Sequence, residues 1–225
     1  MQARDRLIVA ADLSTRDEIL TLADEMSGVA GLIKIGLQAF VANGPTLVRE
    51  VVDREVKVFL DLKLHDIPNT VQHAVREAEK LRVAMLTVHT TGGSAMLNAA
   101  NSDQLLILGV TVLTSLDDAA LLDTGFAEDV MHTVPRLALL AQNAGLRGVV
   151  ASPLEIRGIR EVCGAKMTIV APGVRPAGAE KGDQARTLTP RQAIDAGADY
   201  IVVGRPITEK KNRREAAVQI IEELS

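Results

Sequence analysis

Eight short apolar runs recur along the chain, and stretches of helical or turn-rich sequence separate them. Apolar strands that alternate with helices indicate a parallel sheet covered by helices, because such strands are buried on both faces. Eight units predict an α/β fold, a closed (β/α)8 TIM barrel that residues 1–225 form as one domain. The predicted strands are residues 7–12, 32–36, 56–63, 85–89, 106–114, 148–152, 167–172 and 200–204.

Helical patterns fill the intervals between these strands. A doubly wound open sheet is the second candidate, but a dinucleotide-binding sheet of that kind has a G-x-G-x-x-G motif after its first strand. The chain has Asp12-Leu13-Ser14-Thr15 at that point, so the barrel is favoured. The predicted helices are residues 16–26, 45–52, 68–81, 95–100, 126–144, 153–162, 190–196 and 213–224.

Composition excludes several classes of function. Apolar residues make up 47% of the chain but aromatic residues only 2%, so we expect a core of Ala, Val, Leu and Ile. Few aromatic faces and a net charge of −4 argue against a platform for single-stranded nucleic acid, and against binding of DNA or an anionic membrane. The single Cys163 excludes an intramolecular disulfide and is interpreted as a packing residue. The N-terminus lacks an apolar segment long enough for a signal peptide, which predicts a cytoplasmic protein.

The stretch VKVFLDLKLHDIPNT, residues 56–70, changes from a buried strand to a dense set of charges. At the period of two that a strand imposes, Asp61 and Lys63 share one face, and Asp66 follows just beyond the strand. Desolvating a carboxylate and an ammonium together costs several kcal/mol per ion, roughly, and function is the usual reason to tolerate that. A solvated ion pair on a surface strand is the alternative for this motif taken alone.

Charged and polar residues also end the other predicted strands. In a barrel of this kind the active site lies at the carboxyl ends of the strands. Alternating charges there, Lys34, Asp61, Lys63 and Asp66, suit a reaction in which negative charge grows on a substrate atom and is then quenched by a proton. Schiff-base chemistry is less favoured, because flanking carboxylates keep a lysine charged. The strand ends contribute Asp12, Lys34, Asp61, Lys63, His89, Thr114, Ser115, Arg175 and Arg205.

Two stretches that contain glycine, residues 171–186 and 202–206, lie at the ends of the last two predicted strands. Loops at these positions commonly bind phosphate in such barrels, and Arg205 can hold phosphate oxygens in a bidentate manner. A flexible surface loop is the alternative interpretation. His89 is interpreted as a hydrogen-bonded supporting residue, and His65, His73 and His132 lack metal-ligand spacing.

Together these motifs resemble the bacterial type of orotidine 5'-phosphate decarboxylase, and DLKLHDIPNT, residues 61–70, is the most specific of them. The resemblance implies a homodimeric (β/α)8 barrel that converts orotidine 5'-phosphate to uridine 5'-phosphate (UMP) and carbon dioxide in de novo pyrimidine synthesis, without a metal or organic cofactor. The chain departs from that pattern between Ser94 and Leu105, where it is shorter and leaves only a brief fourth helix. The supporting motifs are VAAD ending at Asp12, KIG from Lys34, VTVLTS from Val110, PGVRP from Pro172, GDQ from Gly182 and VGRP from Val203.

The resemblance also implies a role for each matching residue. Lys63 would protonate the pyrimidine carbon that loses its carboxylate, and Asp61 would sit against that carboxylate. Lys34 and Asp12 would contact ribose hydroxyls and complete the charge network. Thr114 would hold the base, and closure of the loop 174–186 would seal the site. Asp66, Ile67 and Thr70 would enter the partner subunit's site, and the phosphate would be bound by Arg175, Gln184, Arg205 and the Gly204 amide.

Two other functions remain open on the sequence. An Mg²⁺-dependent phosphosugar aldolase or decarboxylase of the same superfamily would share the D-x-K-x-x-D pattern of Asp61, Lys63 and Asp66. His65 and residues 67–70 favour the nucleotide enzyme over that alternative. The other possibility is a barrel that binds a nucleotide without catalysis, and only turnover distinguishes it.

Overall fold

In the computed structural model, which describes residues 1–176 and 188–224, eight parallel strands close into a barrel in chain order. The first strand pairs with the second and with the eighth, which closes the sheet. The predicted (β/α)8 barrel is therefore confirmed. The strands are β1 Leu7–Ala10, β2 Leu32–Gly36, β3 Val58–Leu64, β4 Met85–His89, β5 Leu106–Val110, β6 Gly148–Val150, β7 Thr168–Ala171 and β8 Tyr200–Val203.

Helices of the described residues lie between consecutive strands and after the last one. The predicted helices at residues 16–26 and 190–196 match the structure to the residue, and the fourth helix is brief, as expected. The helices are α1 Arg16–Met26, α2 Leu37–Val52, α3 Pro68–Lys80, α4 Gly93–Ala99, α5 Asp118–Asp123, α6 Val130–Asn143, α7 Ile156–Cys163, α8 Pro190–Ala196, α9 Arg205–Thr208 and α10 Arg213–Glu223. Short 3-10 helices occupy Ala3–Arg6, Thr90–Gly92 and Pro153–Glu155.

Several helix boundaries differ from those expected. Helix α2 starts earlier than residue 45 because Gly44, at φ 68°, lets two helical segments meet at a kink before Pro45. Helix α6 starts later than residue 126 because the Asp129 carboxylate caps it, accepting the His132 backbone N–H at 2.9 Å. Helices α5 and α9 were not predicted, since six- and four-residue helices have little periodicity to read.

Aliphatic side chains fill the interior of the barrel beneath the carboxyl ends of its strands. Phe59 is the one aromatic residue among the fully buried large side chains of the described chain, so the expected aliphatic core is confirmed. Cys163 is buried in α7, where burial raises the pKa of its thiol and Arg160 partly opposes the rise, in agreement with a packing role. The buried barrel interior consists of Ile8, Ala10, Leu32, Phe59, Met85, Leu108, Val170 and Val202.

Several strands are shorter at their carboxyl ends than predicted. Strand β1 ends at Ala10 and β5 at Val110, although Ala11 N–H still donates to the Lys34 carbonyl at 2.9 Å. Asp12 and Thr114 therefore lie in the loops that follow these strands. Within residues 1–176 and 188–224, no helix has the length and apolar character needed to cross a bilayer.

Candidate active site

Strand β3 carries a bulge at the residues that bear its charges. Leu60 pairs with Leu86 on β4, but the next pair is Leu64 with Val88, so residues 61–63 face a single β4 residue, Thr87. Lys63 within this bulge has φ 52°, in the left-handed region that non-glycine residues seldom adopt. The regular alternation expected for residues 56–63 is thus wrong at its end, although the expected proximity of Asp61 and Lys63 holds.

Four charged side chains meet at the mouth of the barrel in alternating order. The Lys63 Nζ atom lies 2.9 Å from both carboxylate oxygens of Asp61. The Lys34 Nζ atom lies 3.0 Å from Oδ1 of Asp12 and 3.7 Å from Oδ2 of Asp61. The sequence prediction that these residues converge is confirmed, and we call Asp12, Lys34, Asp61 and Lys63 the charge array.

The centre of the charge array is nearly dry and its two ends are open. The side chains of Asp61 and Lys34 are 13% and 12% exposed, whereas Lys63 is 28% and Asp12 57% exposed. Each lysine Nζ lies within 3.0 Å of a carboxylate oxygen, so opposite charges alternate through the array. The array therefore presents a fixed ammonium, that of Lys63, toward the opening where a substrate could enter.

The space for Lys34 depends on the glycine that ends β2. A Cβ atom at Gly36 would lie 2.9 Å from Nζ of Lys34 and 3.4 Å from Oδ1 of Asp12. Any larger residue would push the ammonium out of its place between two carboxylates. The KIG segment of β2 thus supplies the cation, Lys34, and the glycine, Gly36, that leaves space for its ammonium group.

Asp66 lies outside the charge array of its own chain. Its carboxylate accepts the Ile67 backbone N–H at 2.6 Å, and no Lys, Arg or His nitrogen in the described part of the chain lies within 4.0 Å of it. All residues from 65 to 70 are exposed, Ile67 to 65%, and Thr70 lies with them in the first turn of α3. The expected alternation of charges that ends in Asp66 therefore does not form within one chain.

Two histidines flank the charge array. His89 ends β4, and its ring centroid lies 5.6 Å from that of His65. Burial lowers the pKa of His89, electrostatic interactions with His65 and Lys63 lower it further, and the interaction with Asp61 opposes them. Among residues 1–176 and 188–224, no cluster of three or more His, Cys, Asp or Glu residues is suited to hold a metal ion.

A second positive region follows β7 and β8. Arg175 is half-buried, and burial followed by repulsion from Arg205 lowers the pKa of its guanidinium, while Glu209 opposes the shift. Two neighbouring cations that repel each other favour an anion placed between them. Gly204, which precedes Arg205, lies close to the end of β1, since a Cβ there would be 3.4 Å from the Cβ of Ala10 and 3.8 Å from Oδ2 of Asp12 in the following loop.

The base of the loop after β7 is fixed by backbone contacts. Arg175 N–H donates to the Leu188 carbonyl at 3.0 Å, and Val174 bridges to Leu188. Gln184, expected to contact phosphate, lies outside the described residues. Thr114, expected to hold the base, is half-buried in the loop after β5.

Sequence reasoning missed one residue of the site, Thr87. Its hydroxyl contacts both Asp61 and the backbone of Lys63. The alternation of β4 could have indicated it, because Met85, Thr87 and His89 share the inward face of that strand.

Comparisons with known proteins agree on the relationship of this chain. A model described as the Orotidine 5'-phosphate decarboxylase / HUMPS family matches residues 5–220. The chain is 49% identical to a protein of Moorella thermoacetica named orotidine 5'-phosphate decarboxylase, over 100% of this chain and 94% of that relative. A protein of the same name from Heliobacterium modesticaldum is 47% identical over 100% and 98% of the two chains. A crystal structure of orotidine 5'-phosphate decarboxylase from Lactobacillus acidophilus superposes with a TM-score of 0.86 at 32% identity, covering 97% of this chain and 98% of that one.

Proposed function

We propose that this chain, which belongs to the orotidine 5'-phosphate decarboxylase / HUMPS family, converts orotidine 5'-phosphate to UMP and carbon dioxide in de novo pyrimidine synthesis. The observation that carries the proposal is the Lys63 ammonium, held 2.9 Å from the Asp61 carboxylate at the mouth of the barrel. That arrangement places a fixed cation and a fixed anion where a substrate carboxylate departs and a proton arrives. The reaction needs no metal or organic cofactor from the protein.

The chemistry of the substrate explains why a positioned cation is needed. Loss of carbon dioxide leaves an electron pair on the pyrimidine carbon in the plane of the ring, where ring resonance gives it little stabilisation. A preorganised ammonium lowers the energy of that developing charge, and the same group then donates the proton that replaces the carboxylate. Lys63 has both roles, and Asp61 orients it while lying next to the leaving carboxylate.

The remaining residues bind the parts of the substrate that do not react. Lys34 and Asp12 contact the ribose hydroxyls, and Thr114 holds the base. Arg175, Arg205 and the Gly204 amide bind the phosphate, together with Gln184. Binding energy from this remote phosphate helps to hold the reacting carbon against Lys63, so it contributes to the rate as well as to affinity.

The enzyme acts as a cytoplasmic homodimer in which each pocket is shared. Asp66, Ile67 and Thr70 enter the partner subunit's site. Two features support this assignment: Asp66 has no cationic partner within 4.0 Å among the described residues of its own chain, and the apolar Ile67 beside it is 65% exposed. A second copy would cover the isoleucine and bring the carboxylate to the open side of Lys63.

The direct test is release of carbon dioxide from orotidine 5'-phosphate by the purified protein in excess chelator, with UMP measured in the same samples. We expect one UMP per carbon dioxide at a rate that the chelator does not change. No release, together with activity on a hexulose phosphate that Mg²⁺ restores, would identify a phosphosugar enzyme instead. Nucleotide binding without turnover of either substrate would identify a non-catalytic barrel.

A further inference from the structure

We propose that the buried Thr87 is a positioning residue that fixes both Lys63 and Asp61 for the decarboxylation, an inference that rests on the proposed function. Thr87 lies on β4 and is 0% exposed. It stands directly opposite the bulge of β3, as the one β4 residue between the Leu60–Leu86 and Leu64–Val88 pairs. Its position therefore lets one side chain reach two members of the charge array.

The hydroxyl of Thr87 makes two hydrogen bonds whose directions are determined by chemistry. It accepts the backbone N–H of Lys63 at 2.8 Å and donates its proton to Oδ1 of Asp61 at 3.0 Å. A backbone amide can only donate and an ionised carboxylate can only accept, so the hydroxyl serves both at once. Only Ser among the other small residues has a group that can do the same.

The first hydrogen bond stabilises the unusual backbone of Lys63. The bulge removes the Lys63 N–H from the regular ladder between β3 and β4, and a buried N–H without a partner is costly. Thr87 supplies that partner, and so supports the left-handed conformation at φ 52°. This conformation directs the Lys63 side chain back toward Asp61.

The second hydrogen bond fixes the rotation of the Asp61 carboxylate. With Oδ1 held by the Thr87 hydroxyl, Oδ2 faces Lys34 at 3.7 Å, and both oxygens remain 2.9 Å from Lys63. Without the hydroxyl, the carboxylate could turn and the ammonium could follow it. Because proton transfer depends steeply on the position of the donor, a small displacement lowers the rate without weakening binding of the distant phosphate.

The test compares Thr87→Val, which removes the hydroxyl at nearly constant shape, with Thr87→Ser, which keeps it. The control is Thr133→Val on α6, because Thr133 is also buried but donates to a backbone carbonyl, that of Glu128 at 3.2 Å, and not to a residue of the charge array. We expect Thr87→Val to lower kcat by about 10- to 100-fold with KM changed less than about threefold. Thr87→Ser should recover most of the rate, and Thr133→Val should keep it.

A second measurement separates this inference from the proposed function. Amide hydrogen exchange at Lys63, followed by NMR, should be slow in the wild type and at least about tenfold faster in Thr87→Val. Unchanged kcat in a folded Thr87→Val variant, or fast exchange at Lys63 in the wild type, would overturn the positioning role. A wild type without decarboxylase activity would instead refute the proposed function, while the exchange data would still test the contact.

Discussion

The ammonium of Lys63 lies 2.9 Å from both carboxylate oxygens of Asp61, although these residues belong to a bulge and Lys63 has a left-handed backbone. Such an ion pair contributes little to stability, because the cost of desolvation offsets most of the attraction between the two charges. The strained backbone of Lys63 adds a further cost. The geometry of the pair is better explained by a role in catalysis. The bulge directs a cation into the mouth of the barrel, where the charge of a departing carboxylate must be stabilised.

A shared active site predicts that two inactive variants complement each other. Lys63→Ala and Asp66→Ala each disable both sites of a homodimer, but a mixed dimer contains one intact site. Random exchange of equal amounts makes half of the dimers mixed, so about a quarter of wild-type activity should return. The measurement is decarboxylation before and after mixing, with exchange followed by native mass spectrometry. Mixed dimers without recovered activity would refute the sharing.

His89 predicts a specific dependence of stability on pH. Burial, His65 and Lys63 lower its pKa in the folded protein, so the unfolded chain binds a proton at a higher pH than the folded one. Stability should therefore fall as pH drops below the ordinary histidine value of about 6.5 toward the lower folded pKa. Urea unfolding at about pH 7.5 and about pH 5.5 should show a larger loss of free energy for the wild type than for His89→Gln. Equal losses in the two proteins would contradict the assignment.

Arg160 lies at the end of the barrel opposite the charge array. We expect its substitution to lower the stability of the protein and to leave the decarboxylation rate unchanged. The Arg160 guanidinium donates to the Gly197 carbonyl at 2.7 Å, to the Met167 carbonyl at 2.5 Å and to the Asp199 carboxylate at 2.8 Å. Arg160→Met should lower the free energy of unfolding by about 2–4 kcal/mol, because it leaves several acceptors without this donor.

The matched control is Lys80→Met on α3. Lys80 forms an ion pair with Glu77 at 2.6 Å, but both side chains are about two-thirds exposed, at 67% and 69%. Loss of this exposed pair should cost less than about 1 kcal/mol. Chemical denaturation and kcat of both variants provide the comparison, and a stable Arg160→Met protein would show that the network is dispensable.

Much of the fold and of the charge array could be predicted from the sequence, because both depend on local patterns. Alternation predicted that Asp61 and Lys63 lie close together, although a bulge is what places them in the structure, and the rule that barrel strands end at the site added Lys34 and Asp12. The bulge could not be predicted, since it depends on the register between β3 and β4. The alternation of β4 indicates only that Thr87 faces inward, and its contacts with Asp61 and Lys63 depend on the same register.

The most direct test of the charge array is kcat of Lys63→Ala with saturating orotidine 5'-phosphate, beside calorimetric binding of UMP. The control is Lys57→Ala, because Lys57 is an exposed lysine just before the other end of β3. Lys63→Ala should lose about 10³-fold or more in kcat, since it removes both the stabilising cation and the proton donor. It should still bind UMP, and Lys57→Ala should be unaffected in both measurements. Turnover of Lys63→Ala within about tenfold of the wild type would contradict the account.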